Sequence, residues 1–526
     1  MKSNIKVIDL FAGPGGLGEG FSSFQHEGKY FPFSIAASVE KEASAHKTLT
    51  LRAFYRQFRG REVPEDYYEY LRSDGSESAE SFFSKKFPRE WSAAKTETMG
   101  GPKALGSDDH EDIFEKIKIA IKGHRGPKVV IGGPPCQAYS LVGRSRNKGI
   151  AGYSAEEDHR HFLYQEYLKV LDLVQPDIFV MENVKGILTA KVNGESIFEK
   201  IRKDLAFPAL AINGGGEAIE YELLPFAHPI SDRSTGFNNK DFVIRTEEFG
   251  IPQARHRVIL LGVRKRLLKD IEDGVILSRW KSSNATSAGQ VLADLPPLRS
   301  GLTKSKSNNA KAWQENFDLS VKKLAKVFRS NPSAEILARS AVDAAVSSLD
   351  QGGRFIKHKK SDTSAMPSSL RKWFLDKRLG GALNHQARNH MPEDLHRYMF
   401  AIFFAAMNDG ISPRAKDYPR SLAPNHKNWE SGNFCDRFKV QARNRVASTV
   451  TSHISKDGHY FIHFDAKQCR SLTVREAARI QTFPDNYFFE GNRTEQYVQV
   501  GNAVPPLFAT YIAEVVYEIL NGRRAL

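Results

Sequence analysis

The apolar run Val129-Val130-Ile131 breaks at Gly132-Gly133-Pro134-Pro135, and Cys136-Gln137 follow at once. A short β-branched run stopped by two glycines and two prolines predicts a buried strand that ends abruptly. The residues after it then lie at the carboxyl edge of a sheet, where open α/β sheets place their ligand crevice. A cysteine held there by rigid neighbours is a candidate nucleophile, although a lone cysteine is more often a small buried apolar group. Its partners decide between the two.

Further runs end in polar residues. Lys6 to Phe11 reads as a strand, followed by Ala12-Gly13-Pro14-Gly15-Gly16-Leu17-Gly18 and a helical stretch over Glu19 to Phe24. Gly13, Gly15 and Gly18 fit the G-x-G-x-x-G pattern, in which glycine lets the backbone turn tightly and approach a ligand. A second strand, Phe33 to Val39, ends at Glu40, which is either a solvated strand-end acid or an acceptor for the ribose hydroxyls of a nucleoside cofactor. A helix over His159 to Val174 leads into the strand Asp177 to Met181, which delivers Glu182-Asn183-Val184 to the same edge as Cys136. Before the apolar run Arg257 to Val263, alternation places Arg255 and Arg257 on one face of an extended segment. The glycine-punctuated basic stretch from Gln137 to Gly149 reads as a loop able to close over a phosphodiester.

Charge is distributed unevenly. The net +15 resides in residues 264–470, with 36 Lys and Arg against 19 Asp and Glu, leaving 40 against 42 elsewhere. An imbalance confined to one segment favours a polyanion-binding module. Residues 50–110 are aperiodic and read as a partly helical insertion on the domain surface. His453, His459, His463 and Cys469 fit no standard zinc spacing, and Gly458 to His463 reads as a strand, so no metal is expected. Thr473 and Glu476 form a capping-box pair that opens a helix, and a closing helix runs to Leu520. Three scattered cysteines, no signal peptide and no apolar stretch of membrane-spanning length predict a cytoplasmic protein.

The chain resembles the DNA cytosine-5 methyltransferase family. The matching stretches are Asp9 to Gly16, Gly133 to Gln137, Glu182-Asn183-Val184, Gln253-x-Arg255-x-Arg257, Leu472 to Pro484 and Gly501 to Pro506, in the family's order. The absence of any regulatory extension before the first motif resembles the compact prokaryotic members of restriction-modification or defence systems.

The resemblance implies an α/β, Rossmann-like domain dependent on S-adenosyl-L-methionine, over residues 1–263 and completed by 495–526. It implies a smaller target-recognition domain over 264–494. By resemblance, Cys136 adds to cytosine C6 while Glu182, requiring a raised carboxyl pKa, hydrogen-bonds or protonates N3, and C5 then attacks the sulfonium methyl. Asn183 would position this pair, and Arg255 and Arg257 would hold the base oxygen and a phosphate. Phe11, Gly13, Gly15, Gly16, Glu40, Asp108, Pro134, Asn502 and Val504 would hold the cofactor, released as S-adenosyl-L-homocysteine. Gln137, Ser140, Arg144 and Gln253 would contact double-stranded DNA, whose target cytosine must be flipped out.

The implied protein is a monomer, with a restriction endonuclease or defence proteins as conceivable partners. Two departures are Ala138-Tyr139, where glycine-phenylalanine is common, and the insertion. Three rival readings are weaker. A tRNA methyltransferase would carry a Cys-Phe-Thr triplet that is lacking here. A catalytically dead DNA-binding relative would be expected to lose Cys136 or Glu182. An NAD-dependent oxidoreductase would leave Cys136, Glu182 and the basic region unexplained.

Overall fold

The computed structural model describes residues 4–135, 163–192, 194–214, 219–226, 236–268, 285–305, 307–328, 349–358, 363–424, 429 and 437–521. Its centre is a seven-stranded sheet built from β1 (Ile5–Leu10), β2 (Phe33–Val39), β3 (Lys128–Gly132), β4 (Ile178–Val184), β5 (Tyr221–Pro225), β6 (Val243–Arg245) and β7 (His256–Arg264). The order is β2-β1-β3-β4-β7-β5, with β6 also pairing β7. The first four strands are parallel, and β7 runs antiparallel between β4 and β5. Parallel strands with both faces covered read as continuous apolar runs, which is the pattern of Val129-Val130-Ile131.

Strand periodicity sorts these side chains into two layers. Val7, Ile131, Val180 and Leu261 point to one face, against α1 (Gly16–Ser23) and the C-terminal helix. Ile8, Val130, Phe179 and Leu260 point to the other. That second face is covered by α6 (His110–Ile121) and α7 (Leu163–Val174), which lie beyond α2 (Ala43–Arg56), α3 (Glu65–Arg72), α4 (Ala79–Lys86) and α5 (Pro88–Glu97). Each fully buried aliphatic side chain contributes about 1.5–3 kcal/mol, so an aspartate at Val180 would disrupt the centre of the sheet. β4 continues through Glu182, Asn183 and Val184 rather than stopping at Met181, because β7 pairs with all three.

The insertion is not a surface appendage. Phe54, Tyr67, Tyr70, Phe83 and Trp91 form a core with Leu379, Leu383 and Phe488 from the far part of the chain. The Tyr68 hydroxyl donates to Asp376 Oδ2 at 2.7 Å, Tyr70 to Glu490 Oε1 at 2.7 Å, and Arg378 Nη1 to the Val63 carbonyl at 2.6 Å. Helices of two to three turns offer too few repeats for periodicity to show in sequence.

Beyond the sheet, β8 (Gly352–Lys357) and β9 (Gly381–Gln386) form an antiparallel pair beside α8 (Ser368–Phe374) and α9 (Pro392–Met407). Then come α10 (Val474–Ile480), α11 (Arg493–Asn502) and α12 (Pro506–Leu520). The capping box at α10 is present, with Thr473 Oγ1 accepting from Glu476 N and Glu476 Oε2 from Thr473 N.

Three expectations need correction. Only Ile462–His463 of the Gly458 to His463 stretch is a strand, because Gly458, at φ 76°, opens a turn closed by Phe461 N donating to its carbonyl at 2.9 Å. Arg493–Leu520 is, by length and composition, long and apolar enough for a membrane span, yet it breaks at Ala503-Val504-Pro505 and its second half packs on the sheet. The basic excess is also not all surface charge. Arg299, Arg388 and Arg470 are buried and bond backbone carbonyls, Arg470 also gripping Glu476 through two contacts of 2.7 Å.

Candidate active site

The site forms along the carboxyl edge of β1 to β4. After Leu10 the backbone takes a left-handed conformation at Phe11 (φ 54°), and Gly15, the N-cap of α1, has φ 96°. Only glycine adopts the latter without strain. At Gly16 a Cβ would lie 2.3 Å from the Val504 carbonyl oxygen. That close approach lets the segment between α11 and α12 close on the loop from the other end of the chain. Asn502 is exposed at the end of α11, and Val504 is 9% exposed.

Glu40, just past β2, is nearly buried, and its two oxygens accept from Gly13 N and Glu42 N, each at 2.7 Å. Burial pushes its carboxyl upward against these hydrogen bonds. Each oxygen keeps a further lone pair, so the acid next to the glycine loop retains acceptor capacity for a diol. Half-buried Phe11 follows β1 at the same edge, so a carboxylate acceptor for ribose hydroxyls and an aromatic side chain, groups that suit a nucleoside cofactor, stand there. Asp108 is exposed, and the adjacent Asp109 bonds Lys103 Nζ and Ala104 N.

Asp9 was not singled out by sequence. It is fully buried in β1, its Oδ2 lies where a Cβ on Gly18 would clash at 2.8 Å, and neither oxygen makes a hydrogen bond of good geometry. Burial pushes the carboxyl up to about 8, against the pull of Arg56, so Asp9 is neutral below that pH. Nothing in a β-strand pattern distinguishes such a residue from a strand-end acid.

The second half of the site lies at the ends of β3 and β4. Asn183 Nδ2 donates to the Pro134 carbonyl at 3.3 Å, tying the turn that leads to Cys136 onto β4. A Cβ on Gly133 would lie 3.1 Å from Glu182 Oε2. Arg257 Nε lies 2.8 Å from Glu182 Oε1, an ion pair whose angle falls outside directed hydrogen-bond geometry, and Arg257 Nη1 donates to the His256 carbonyl. Both side chains remain accessible, at 16% and 13%. Cys136, Gln137, Ser140 and Arg144 lie outside the described residues.

Arg255 and Gln253 are placed differently from expectation. Arg255 does not share the accessible face of Arg257. It is 2% exposed, and its Nη1 donates to the carbonyls of Val450 at 2.8 Å and Gly501 at 3.4 Å. Burial, then the neighbouring Arg257, lowers its guanidinium pKa strongly. Gln253 is fully buried, its Nε2 bonding Gln481 Oε1 and the Ile480 carbonyl and its Oε1 accepting from Val450 N at 3.0 Å. Both side chains are consumed in binding the strand entering β7 to the chain's C-terminal segments. Gln481, another residue without a sequence signal, donates to the carbonyls of Val500 and Ala503, each at 2.8 Å, and so holds the turn that carries Asn502.

A sheet parallel over β1 to β4, whose carboxyl edge carries a glycine loop, a buried acid and a partly exposed carboxylate–arginine pair, has the layout of a Rossmann-like fold with its ligand site at that edge. Residues 103–207 and 231–518 match the family model described as C-5 cytosine-specific DNA methylase, and the chain belongs to that family. It is 35% identical to the Type II methyltransferase M.Bpa9945I of Bacillus paralicheniformis, over 98% of this chain and 99% of the relative. It is 27% identical to the DNA (cytosine-5-)-methyltransferase M.ApeKI of Aeropyrum pernix, over 75% and 82%. A solved DNA modification methyltransferase encoded in an E. coli prophage aligns with a TM-score of 0.47 at 19% identity, over 98% of this chain and 99% of that one.

Proposed function

We propose that the chain methylates C5 of a flipped-out cytosine in a specific double-stranded DNA sequence, with Cys136 as nucleophile and Glu182 as the acid at N3. The observation that carries this reading is the Glu182–Arg257 pair, 2.8 Å apart and accessible, beside the Pro134 turn that leads to Cys136. Cytosine C5 is a poor nucleophile until C6 is attacked. The Cys136 thiolate forms the C6–S bond, Glu182 donates a proton or hydrogen bond to N3, and the displaced electron pair makes C5 enamine-like. Arg257 would donate to the base oxygen, a task that suits an always-charged planar donor. Once C5 carries the methyl group, a base takes the C5 proton, the C6–S bond breaks with the electron pair leaving on the Cys136 thiolate, and N3 returns its proton to Glu182, which restores aromaticity.

Phe11, the glycine loop, Glu40, Pro134, Asn502 and Val504 are the residues that would hold S-adenosyl-L-methionine, which supplies the electrophilic methyl group when bound. Asn183 and Gln481 act as positioning residues through the segments they join, whereas Arg255 and Gln253 are structural ties. Residues 264–494 would serve as the recognition domain, and Gln137, Ser140 and Arg144 would contact the DNA. The protein would act as a monomer, alongside a restriction endonuclease or other defence components.

The test is transfer of a labelled methyl group to unmethylated mixed-sequence DNA, beside Cys136→Ala. Label at cytosine C5 that vanishes in the variant supports the assignment. DNA binding without label, or label on tRNA instead, refutes it.

A further inference from the structure

A cavity of about 500 Å³ opens at the end of α1 remote from the glycine loop, and none of its lining residues belongs to the site above. Its volume is that of a small-molecule pocket. Its walls come from the last turns of α1 and α2, from Phe31 just before β2, and from the segment around α8. Arg52, Arg56, Arg59, Lys372 and Lys377 all face it.

The carboxylates on these walls are already engaged. Glu19 takes the Arg52 guanidinium through both oxygens. Asp376 accepts from the Tyr68 hydroxyl, the Asn486 amide and Arg378 N. Arg56 bonds Glu97 through Nη2, and Glu19 Oε2 is 4.0 Å from its Nη1. Yet its Nε and Nη1 are buried and make no hydrogen bond. Arg59 makes only a long 3.5 Å contact with the Phe33 carbonyl and lies 5.3 Å from the Phe31 ring. Among the described residues no carboxylate pairs with Arg59, Lys372 or Lys377. Burial, and then the neighbouring Arg56, pushes the Arg59 guanidinium down to about 9.

Glu97 and Glu19 hold Arg56 charged and its idle nitrogens have no surface on the cavity, so the positive charge left without a partner on the wall is that of Arg59, Lys372 and Lys377, which an anion in the cavity would complete. Asp376, on the same wall and held only by neutral donors, offsets one of these three charges, so an anion carrying about two charges balances the rest. We infer that this cavity is a binding site for a small phosphorylated molecule bearing two or more negative charges, of the pyrophosphate or nucleotide-phosphate class. Planar guanidinium forks match phosphoryl oxygens, and the lysines at the rim supply point charges. A concave pocket suits a free phosphate compound better than a duplex backbone, which contacts a convex or open groove. The site is independent of the methyl-transfer reading, and it sits where α1, the insertion and the α8 segment meet.

The test is calorimetric titration of the full chain with pyrophosphate, beside Arg59→Gln and Lys372→Ala. Arg59 has no carboxylate to orphan and Lys372 is exposed, so both variants should fold, as unchanged S-adenosyl-L-methionine binding would verify. One saturable site is expected, weakened about ten- to hundredfold by Arg59→Gln and less by Lys372→Ala, the loss expected for a charge-assisted hydrogen bond. Absence of saturable binding, or equal affinity in wild type and both variants, overturns the proposal. So does displacement of pyrophosphate by a short non-specific duplex, which would make the ligand a DNA phosphodiester.

Discussion

Replacing Gln253 by methionine keeps an unbranched side chain of similar length and removes its amide. Gln253 bridges β7 to two C-terminal segments, so the change orphans the Val450 N–H and Gln481 Oε1, both on fully buried residues. An unsatisfied buried polar group costs about 1–3 kcal/mol, which sets the loss at about 2–6 kcal/mol. The weaker 3.3 Å contact with the Ile480 carbonyl adds little. Equilibrium urea unfolding should show a lower midpoint of this size, and methyl transfer should decline only as the folded fraction does. The slope of log affinity for DNA against log salt should stay at its wild-type value, because no phosphate contact is removed. The reasoning is refuted if the midpoint is unchanged while affinity for the recognition sequence falls by about 1–3 kcal/mol, the signature of a lost base contact.

Glu182→Gln should lower the single-turnover rate by about 10²–10⁴-fold, the contribution of a positioned acid, while DNA binding persists; retention of most of the rate would remove Glu182 from the chemistry. Asp9 has a folded-state carboxyl raised from 3.8 to about 8, so its contribution to stability is complete below the unfolded value and is lost as pH rises through about 8. Unfolding midpoints measured across that window should fall with pH in the wild type and flatten in Asp9→Asn. Phe83→Ala, at a fully buried ring 4.3 Å from Phe54, should cost about 3–5 kcal/mol and expose the insertion to limited proteolysis. Leu319→Ala, 44% exposed, should change neither measurement.

Much of the sheet was legible because its strands are covered on both faces. Phe33–Val39 is a strand with the predicted bounds, and Val129 to Ile131 lies within β3, since burial on both sides leaves an unbroken apolar run. The capping box at Thr473 was equally legible, because both partners lie within one helical turn. Glu40 and Glu182 reach the carboxyl edge because a parallel strand can only deliver its last residues there.

Sequence by itself therefore determined the strands and the residues at their carboxyl edge, which depend on local periodicity and short spacing, and the ordered motifs that carry the resemblance to the family. The tertiary structure alone decided that Arg255 and Gln253 are internal ties while Arg257 meets Glu182, although the three lie within five residues of one another. It decided too that the insertion leans on Leu379, Leu383 and Phe488, and that part of the basic excess is buried against backbone carbonyls. A charge count or an alternation rule carries no information about partners some two hundred residues away. Such partners select which side chain is drawn inward, because a buried guanidinium or amide must find its hydrogen bonds wherever the folded chain offers them.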